Sequence, residues 1–195
     1  MFKVFEEGME VNGQTINSVS DAFSSLKFMV DKYFTAAGLP KSTDIDYDGW
    51  YSQQSWLDAF KHISENVGPL TMLNIGKKIP ENAQFPPEVD SIEKGLSAIN
   101  VAYHMNHRNK SGQVLFNPNN GTMLGGIGYY NVIAVDSANK SAVLKCENPY
   151  HCDFDKGIIT TMARKFEVGA RIRHDDTKGC RKVGSEACHY TVEWS

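Results

Sequence analysis

Apolar residues in the first half of the chain recur three or four positions apart, which is the spacing of amphipathic helices. Gly38 and the pair Gly68-Pro69 interrupt this pattern and predict helix ends, while Pro86-Pro87 precedes the longest run. The polar stretch between Lys41 and Gly49 predicts a loop. The predicted helices cover residues 23–37, 56–67, 70–79 and 89–103.

After Asn109 the pattern changes to short runs of β-branched and aromatic residues, separated by turn-forming residues. One helix, starting at Asp153 and closed by Gly169, interrupts these runs, and Gly184-Ser185-Glu186 predicts a tight turn between the last two. The predicted strands cover residues 113–116, 129–135, 142–146, 170–174, 180–183 and 188–194. This order predicts an α+β fold with helices packed on an antiparallel sheet, helical in its first half and strand-rich in its second.

The N-terminal residues carry a separate signal. Asn12-Gly13 lies between two short β-prone runs, and this dipeptide favours the two-residue turn of a β-hairpin. We therefore expect residues 1–17 to form an N-terminal hairpin extension of a single domain that covers residues 1–195.

Composition narrows the class of protein. The chain has 195 residues, 41% of them hydrophobic, which is typical of a soluble globular protein. Its 20 Lys and Arg residues are offset by 23 Asp and Glu, which argues against nucleic acid as a partner. No apolar run approaches the roughly 18 residues needed to span a bilayer, and the first residues do not resemble a secretory signal. We expect a cytoplasmic protein without membrane contact, whose cysteines are reduced or bound to metal.

The cysteine pattern suggests a metal site. Cys180 and Cys188 flank the predicted terminal turn, and Cys152 lies at the start of the preceding helix. Three thiolates so placed would form three corners of a tetrahedral site; the alternative is that they are small buried residues at strand ends. The candidates for a fourth ligand are Cys146, His151, Asp176 and His189.

Two histidines near the end of the longest helix offer a different chemistry. His104 and His107 are three residues apart and share a helix face, so they could bind a metal or haem iron. The alternative is that they cap the last carbonyls of the helix.

Aromatic residues are dense in two regions, around Trp56 and around the junction between the last N-terminal helix and the sheet. Such density can line an apolar pocket that has a few polar groups, although each residue alone is typical of an ordinary core. The residues expected to bind a ligand are Trp56, Phe60, Tyr103, His107, Phe116 and Tyr130.

Residues 146–195 carry a resemblance to a known family. The segment from Asn148 to Ile159 resembles the stretch that opens the last long helix of 4-vinyl-reductase-type domains. The segment from Cys180 to Trp194 resembles their closing cysteine hairpin, with Ser185 in place of the usual acidic residue. These domains belong to a superfamily with haem nitric-oxide sensors and a subunit fold of vesicle-tethering complexes. The resemblance implies an α+β fold with helices on an antiparallel sheet.

The resemblance also bears on cofactors. In the related sensor domains of aromatic-responsive transcription activators, the residues corresponding to Cys152, Cys180 and Cys188 are zinc ligands. A glutamate three residues before the first hairpin cysteine completes that site, and here the position is Thr177, with Asp176 adjacent. Relatives in the bacteriochlorophyll pathway gave the family its name through a reductase activity. This sequence has no nicotinamide or flavin fingerprint.

These observations lead to the hypothesis of a small-molecule-binding, sensor-type domain with an apolar pocket and a structural zinc site. Its expected ligand is small and apolar or aromatic, and its expected partner is a downstream signalling protein. Family analogy implies a homodimer. The alternatives are a reductase or accessory protein acting on a tetrapyrrole, a haem or gas sensor, and a protein-interaction scaffold. No catalytic residue is assigned.

Overall fold

A computed structural model describes residues 1–23 and 27–195, and it has the predicted α+β architecture. The helices are Gly13–Asp21 (α1), Lys27–Ala36 (α2), Gln53–Asn82 (α3), Ile92–Met105 (α4) and Cys152–Arg164 (α5). The strands are Glu10–Asn12 (β1), Trp50–Ser52 (β2), His107–Arg108 (β3), Phe116–Asn117 (β4), Thr122–Met123 (β5), Tyr129–Asp136 (β6), Ser141–Glu147 (β7), Arg171–His174 (β8) and Cys188–Glu193 (β9). None of the helices in the described residues is both long and apolar enough to cross a membrane.

The main sheet is antiparallel, with four strands in the order β6-β7-β9-β8. Strand β7 shows how its sequence positions it, because Ala142, Leu144 and Cys146 are buried while the residues between them are half-buried. This period of two places alternate side chains on opposite faces of the sheet. The register pairs Cys146 with Cys188. The predicted arrangement of helices and antiparallel sheet is confirmed.

Helix α3 is two helical segments joined at a sharp bend. Gly68 has φ 75°, a left-handed conformation that favours glycine, and Pro69 begins the second segment. The sequence predicts this break. The second segment continues through Pro80 to Asn82, beyond its predicted end at residue 79.

Two glycines bring α3 and α5 into close contact. A Cβ atom on Gly76 would lie 2.0 Å from the Phe154 carbonyl oxygen, and one on Gly157 would lie 2.1 Å from the Leu73 carbonyl oxygen. Only glycine permits such an approach of two helix backbones. The start of α5 is therefore held directly against α3.

The predicted N-terminal hairpin over residues 1–17 is wrong. Asn12 is the N-cap of α1, and its side chain accepts a hydrogen bond from the Thr15 backbone N–H at 3.0 Å. Strand β1 pairs with the distant strands β2 and β3, because the residues directly after it form α1 and not a second hairpin strand. Gly13 allows the Asp46 backbone to lie close to it, because a Cβ atom at this position would lie 1.8 Å from the Asp46 carbonyl oxygen.

Two further predictions need correction. Residues 180–183 are not a strand, because Arg181–Val183 form a short 3-10 helix, and β9 pairs with β8 across a longer connection. The helix predicted over 89–103 begins at Ile92 with Ser91 as its N-cap. The first predicted helix includes residues 24–26, which lie outside the described residues.

Candidate functional site

A cavity of about 80 Å³ lies where α3, α4 and α5 meet the start of β6. Residues from the helical first half and from the strand-rich second half of the chain both line it. Its wall is mainly apolar, with the small residues Ala83 and Ala102 leaving space between larger rings. The aromatic residues of the wall are Trp56, Phe85, Tyr103, Tyr130, Tyr150 and Phe154.

Ring contacts hold the aromatic wall together. Tyr103 packs edge-on against Tyr130, with ring centres 5.2 Å apart, and against Tyr150 at 6.1 Å. On the other side, Phe154 meets Phe60 edge-on at 4.9 Å, and Phe60 meets Trp56 at 5.3 Å. Edge-to-face pairs of this kind are favourable beyond the area they bury.

His107 and Tyr150 form a polar pair in the wall. The His107 Nδ1 atom lies 2.7 Å from the Tyr103 carbonyl oxygen, and its Nε2 atom lies 3.1 Å from the Tyr150 hydroxyl. Because a carbonyl only accepts, Nδ1 carries the hydrogen and the Tyr150 hydroxyl donates to Nε2. Burial lowers the pKa of His107 to about 4, so the imidazole is neutral at pH 7.

A buried ion pair lies behind the cavity. The Tyr130 hydroxyl donates to the Asp155 carboxylate at 2.6 Å, and the guanidinium of Arg181 is paired with the same carboxylate. Burial raises the pKa of Asp155 to about 6, although Arg181, Tyr130 and Asn148 each act to lower it. The Arg181 backbone N–H and Nε also donate to Cys188 Sγ, at 3.4 and 3.5 Å. This chain of contacts connects the cavity wall to the cysteines.

The structure brings four of the six predicted ligand-binding residues to the cavity wall: Trp56, Tyr103, His107 and Tyr130. The other two lie elsewhere. Phe60 is fully buried one layer behind the wall, and Phe116 is half-buried on β4, where it pairs with Met123. That any of the six contacts a ligand stays a prediction.

Sequence reasoning missed the contribution of α5 and the residues before it. Tyr150, Phe154 and Ile158 line the cavity, although they belong to the segment singled out for its cysteines. Phe154 and Ile158 are four residues apart on α5, and Tyr150 lies four residues before Phe154. This spacing could have indicated a shared face. The missing information was which element this face would meet.

The three predicted cysteines converge. The Sγ atom of Cys180 lies 3.8 Å from that of Cys152 and 3.9 Å from that of Cys188, and all three thiols are buried and free of disulfides. Tetrahedral zinc with bonds of about 2.3 Å to sulfur holds its sulfur ligands about 3.8 Å apart. The donor set and its spacing therefore fit a zinc ion.

The electrostatics of the cluster favour one anionic sulfur. A hydrogen bond from the Cys152 thiol, together with the backbone N–H and guanidinium of Arg181, lowers the pKa of the Cys188 thiol. The pKa of the Cys152 thiol is raised by its hydrogen bond to Cys188 and by burial. Metal binding requires thiolates, and the groups around Cys188 favour that form.

The candidates for a fourth ligand differ in position. Asp176 lies with His174 and Cys180 in a group whose ligand atoms are within 4.8 Å of one another, and His151 lies in a similar group with Cys152. Cys146 and His189 belong to no such group among the described residues. Asp176 and His151 are therefore the candidates closest to the cluster.

Comparisons with known proteins give a structural likeness only. No family model matches the chain, and no curated protein matches it by sequence. The fold is similar to that of H-NOX proteins. An H-NOX protein from S. oneidensis in the Fe(II)NO ligation state is 12% identical, with a TM-score of 0.62, over 94% of this chain and 99% of that chain.

Two further solved structures have a similar fold. The Fe(II) unliganded H-NOX protein from K. algicida is 15% identical, with a TM-score of 0.63, over 94% of this chain and 96% of that chain. An oxygen-binding H-NOX domain related to soluble guanylate cyclases is 14% identical, with a TM-score of 0.60, over 94% and 92%. These likenesses, all below 25% identity, show the fold alone. Membership of the 4-vinyl-reductase-type family stays a prediction.

Haem proteins are among the solved structures of similar fold, which raises the question whether the cavity residues of this chain fit haem. A benzene-sized guest occupies a cavity of about 150 Å³ in an engineered protein, and a macrocycle of four pyrrole rings is far larger than the 80 Å³ present. Among the described residues, no Lys or Arg lines the cavity to pair with carboxylates. His107 Nε2 is already bonded to Tyr150.

A second histidine, His104, offers a ring nitrogen suited to metal binding. Its Nδ1 atom is bonded to the Asn100 carbonyl at 2.8 Å, and its buried Nε2 has no partner among the described residues. An imidazole so oriented can bind a metal. However, His104 packs against Tyr129 and is not part of the cavity wall. In this arrangement the residues do not fit a haem.

Proposed function

We propose that this chain is a small-molecule-binding, sensor-type domain whose ligand occupies the cavity between α3, α4, α5 and β6. The observation that supports the proposal best is the aromatic wall of the cavity with the neutral His107–Tyr150 pair set into it. Ligand sites are typically apolar hollows with a few convergent polar groups, and they lie where structural units meet.

The size and charge of the cavity define the class of ligand. At about 80 Å³ it is smaller than the space that accommodates one benzene ring, so the guest is no larger than about one ring and the wall must adjust to it. No cationic side chain of the described residues lines the cavity. An ion placed there would be costly to desolvate, so the ligand is neutral.

The contacts around the cavity support a sensing role. A ligand that touches Tyr130 acts on the Asp155–Arg181 pair, and through it on the cysteine cluster at the start of β9. A signal of this kind needs a partner to receive it. We therefore retain a downstream signalling protein and a homodimer as parts of the proposal.

We further propose a structural zinc ion bound by Cys152, Cys180 and Cys188. The Sγ spacings of 3.8 and 3.9 Å support it. With Asp176 or His151 as fourth ligand the site would be closed, as structural zinc sites are. A zinc ion there would tie the start of α5 to β9, and elemental analysis should find about one zinc per chain.

Filling the cavity tests the ligand proposal. Ala102 lines the cavity, whereas Ala98, one turn earlier on α4, does not. We expect the wild type and Ala98→Leu to bind toluene in calorimetry, and Ala102→Leu to lose at least tenfold in affinity because the added atoms occupy the cavity.

The same preparations test the haem alternative. An absorption spectrum of the protein mixed with haem should show no Soret band of a bound form. A stoichiometric Soret band that is lost in His104→Ala, together with no toluene binding, would contradict the proposal and favour a haem sensor.

A further inference from the structure

His174, the last residue of β8, has a buried ring nitrogen without a hydrogen-bond partner. Its Nδ1 atom lies 2.8 Å from Oδ1 of Asp176, while its buried Nε2 atom has no partner among the described residues. Because an ionised carboxylate only accepts, Nδ1 carries the hydrogen, and in the neutral ring Nε2 presents its lone pair. A buried acceptor left unpaired destabilises the fold, so it needs an explanation in a native protein.

The sheet places His174 on the same face as the cysteine cluster. His174 lies opposite Tyr190 in the register of β8 and β9, and the two rings stack with their centres 4.9 Å apart. Cys188 is two residues before Tyr190 on β9, so its side chain leaves the sheet on the same side. The Tyr190 hydroxyl donates to the Cys152 carbonyl oxygen at 2.7 Å, which brings the start of α5 to this face as well.

The connection after β8 brings His174 close to Cys180. The ligand atoms of His174, Asp176 and Cys180 lie within 4.8 Å of one another, and Cys180 also belongs to the group of three cysteines. A zinc ion with bonds of about 2.3 Å to sulfur and about 2.0 Å to nitrogen holds these two atoms about 3.5 Å apart. The distance between His174 and Cys180 must therefore shorten by no more than about 1.3 Å for both to bind one ion.

Two other positions that could supply the fourth ligand are occupied by bonds of their own. Thr177 stands where the resembling sensor domains have a glutamate, and its hydroxyl donates to Asp175 at 2.6 Å. His151 is the N-cap of α5, and its Nδ1 accepts from the Asp153 backbone N–H at 3.2 Å. In the neutral ring of His151 the hydrogen is therefore on Nε2, so neither nitrogen presents a lone pair to a metal.

Asp176 is arranged to position His174. Its side chain is 80% exposed, and its carboxylate accepts the hydrogen of His174 Nδ1. Histidines that bind a metal typically donate their other ring N–H to such a carboxylate, which fixes the tautomer and the orientation of the ring. The His174–Asp176 pair has this arrangement, and it leaves Nε2 available to a metal.

We propose that His174 Nε2 is the fourth ligand of the zinc ion, with Asp176 as the residue that positions it. The proposal rests on the zinc ion proposed above, and it replaces a direct bond from Asp176 or His151. The ligand comes from the end of β8, six residues before Cys180, instead of from the position of Thr177. Three sulfur ligands and one nitrogen would close the site and tie β8 to α5 and β9.

The zinc affinity of the full chain, measured by competition with a chelator, tests this assignment. We expect His174→Ala to bind zinc about a hundredfold more weakly, because one of four ligands is lost. Asp176→Asn keeps an acceptor for Nδ1 without the charge, so it should lose about tenfold. His189→Ala removes a half-buried histidine that belongs to no such group in the described part of the chain, and this matched control should bind zinc as the wild type does.

Nitrogen-15 NMR of the histidine rings gives a readout that a merely structural residue would not change. When zinc is added to the wild type, the Nε2 resonance of His174 should move from that of an unprotonated nitrogen to that of a metal-bound one, while Nδ1 stays protonated. The rings of His151 and His189 should keep their tautomers. Because this measurement needs no variant, it decides the assignment if His174→Ala does not fold.

The outcomes separate the two proposals. A wild type that binds about one zinc, together with an unchanged affinity in His174→Ala or an unshifted Nε2 resonance, overturns the fourth ligand and leaves the three-cysteine site standing. A shift of the His151 ring in place of the His174 ring overturns the assignment in the same way. A wild type that binds no zinc overturns both proposals.

Discussion

Among single residues, His107 shows how burial determines the protonation state of a side chain. Its Nδ1–H is directed at a helix carbonyl and its Nε2 accepts from Tyr150, so both ring nitrogens are satisfied in the neutral form. Protonation would add a hydrogen at Nε2, where the Tyr150 hydroxyl already donates. The residue is therefore a neutral part of the cavity wall at physiological pH.

The stability of the protein should depend on pH through His107. Burial lowers its pKa to about 4 in the folded state, compared with about 6.5 when unfolded. Between these values the unfolded chain binds the proton and the folded chain does not, so stability is present above pH 6.5 and is lost as the pH falls toward 4. Relative to His107→Gln, the free energy of unfolding of the wild type should fall by about 3 kcal/mol over this range, as measured by urea unfolding.

The comparison between variants is needed because Asp155 acts in the opposite direction. Its folded pKa of about 6 is above its unfolded value, so its contribution falls as the pH rises from about 4 to 6. Asp155 titrates in both the wild type and His107→Gln, and its effect cancels in the difference. The exposed His62 is the control, and His62→Gln should follow the wild type. Parallel pH profiles for the wild type and His107→Gln would contradict the prediction.

Among the elements, the contact between α3 and α5 determines where the cavity forms. Gly76 and Gly157 let the two backbones meet, and this places Phe154 and Ile158 of α5 opposite Trp56 of α3. A wider separation would open this side of the cavity to solvent. Glycine is otherwise unfavourable inside a helix by about 1 kcal/mol, so close packing explains its presence here.

Alanine at either glycine should therefore destabilise the protein. The added Cβ would lie about 2 Å from a backbone carbonyl oxygen of the other helix, so the helices must separate. We expect Gly76→Ala or Gly157→Ala to lower the free energy of unfolding by roughly 3 kcal/mol or more, measured in denaturant. Gly169→Ala is the control, since nothing lies within 4 Å of a Cβ at that position. Equal stability of all three variants would show that the helices are not in close contact.

At the scale of the whole molecule, the cysteine cluster connects segments that are distant in sequence. Cys152 begins α5, Cys180 lies in the connection after β8, and Cys188 begins β9. A metal ion bound to all three would stabilise the folded chain, because it binds the assembled site more tightly than the unfolded one.

Metal removal should lower stability. If zinc is present at about a thousand times its Kd, a chelator should reduce the free energy of unfolding by about 4 kcal/mol, seen as a lower thermal midpoint. Cys180→Ser should remove both the zinc and the effect of the chelator. Cys146→Ser, which changes a buried thiol outside the cluster, should keep both. A wild type whose midpoint is insensitive to chelation and which contains no zinc would contradict the metal proposal.

The extent of what could be predicted differs between fold and site. Helical spacing correctly indicated the face of α4 that carries Ile92, Leu96 and Tyr103, because periodicity reports which side is buried. The Asn12-Gly13 signal gave a wrong prediction, because Asn12 caps a helix and Gly13 leaves room for the backbone of Asp46. Gly76 and Gly157 carried no local signal of their role, since each is explained only by the other helix.

The sequence by itself determined the α+β order of elements, the break at Gly68 and the three cysteines of the cluster, because these depend on local backbone preference and on residue type. Only the tertiary structure decided that Tyr150 meets His107, that Asp155 meets Arg181, and that a cavity lies between them. Those contacts join segments separated by more than 20 residues. Their geometry follows from how whole helices pack on the sheet, and no short stretch of sequence encodes it.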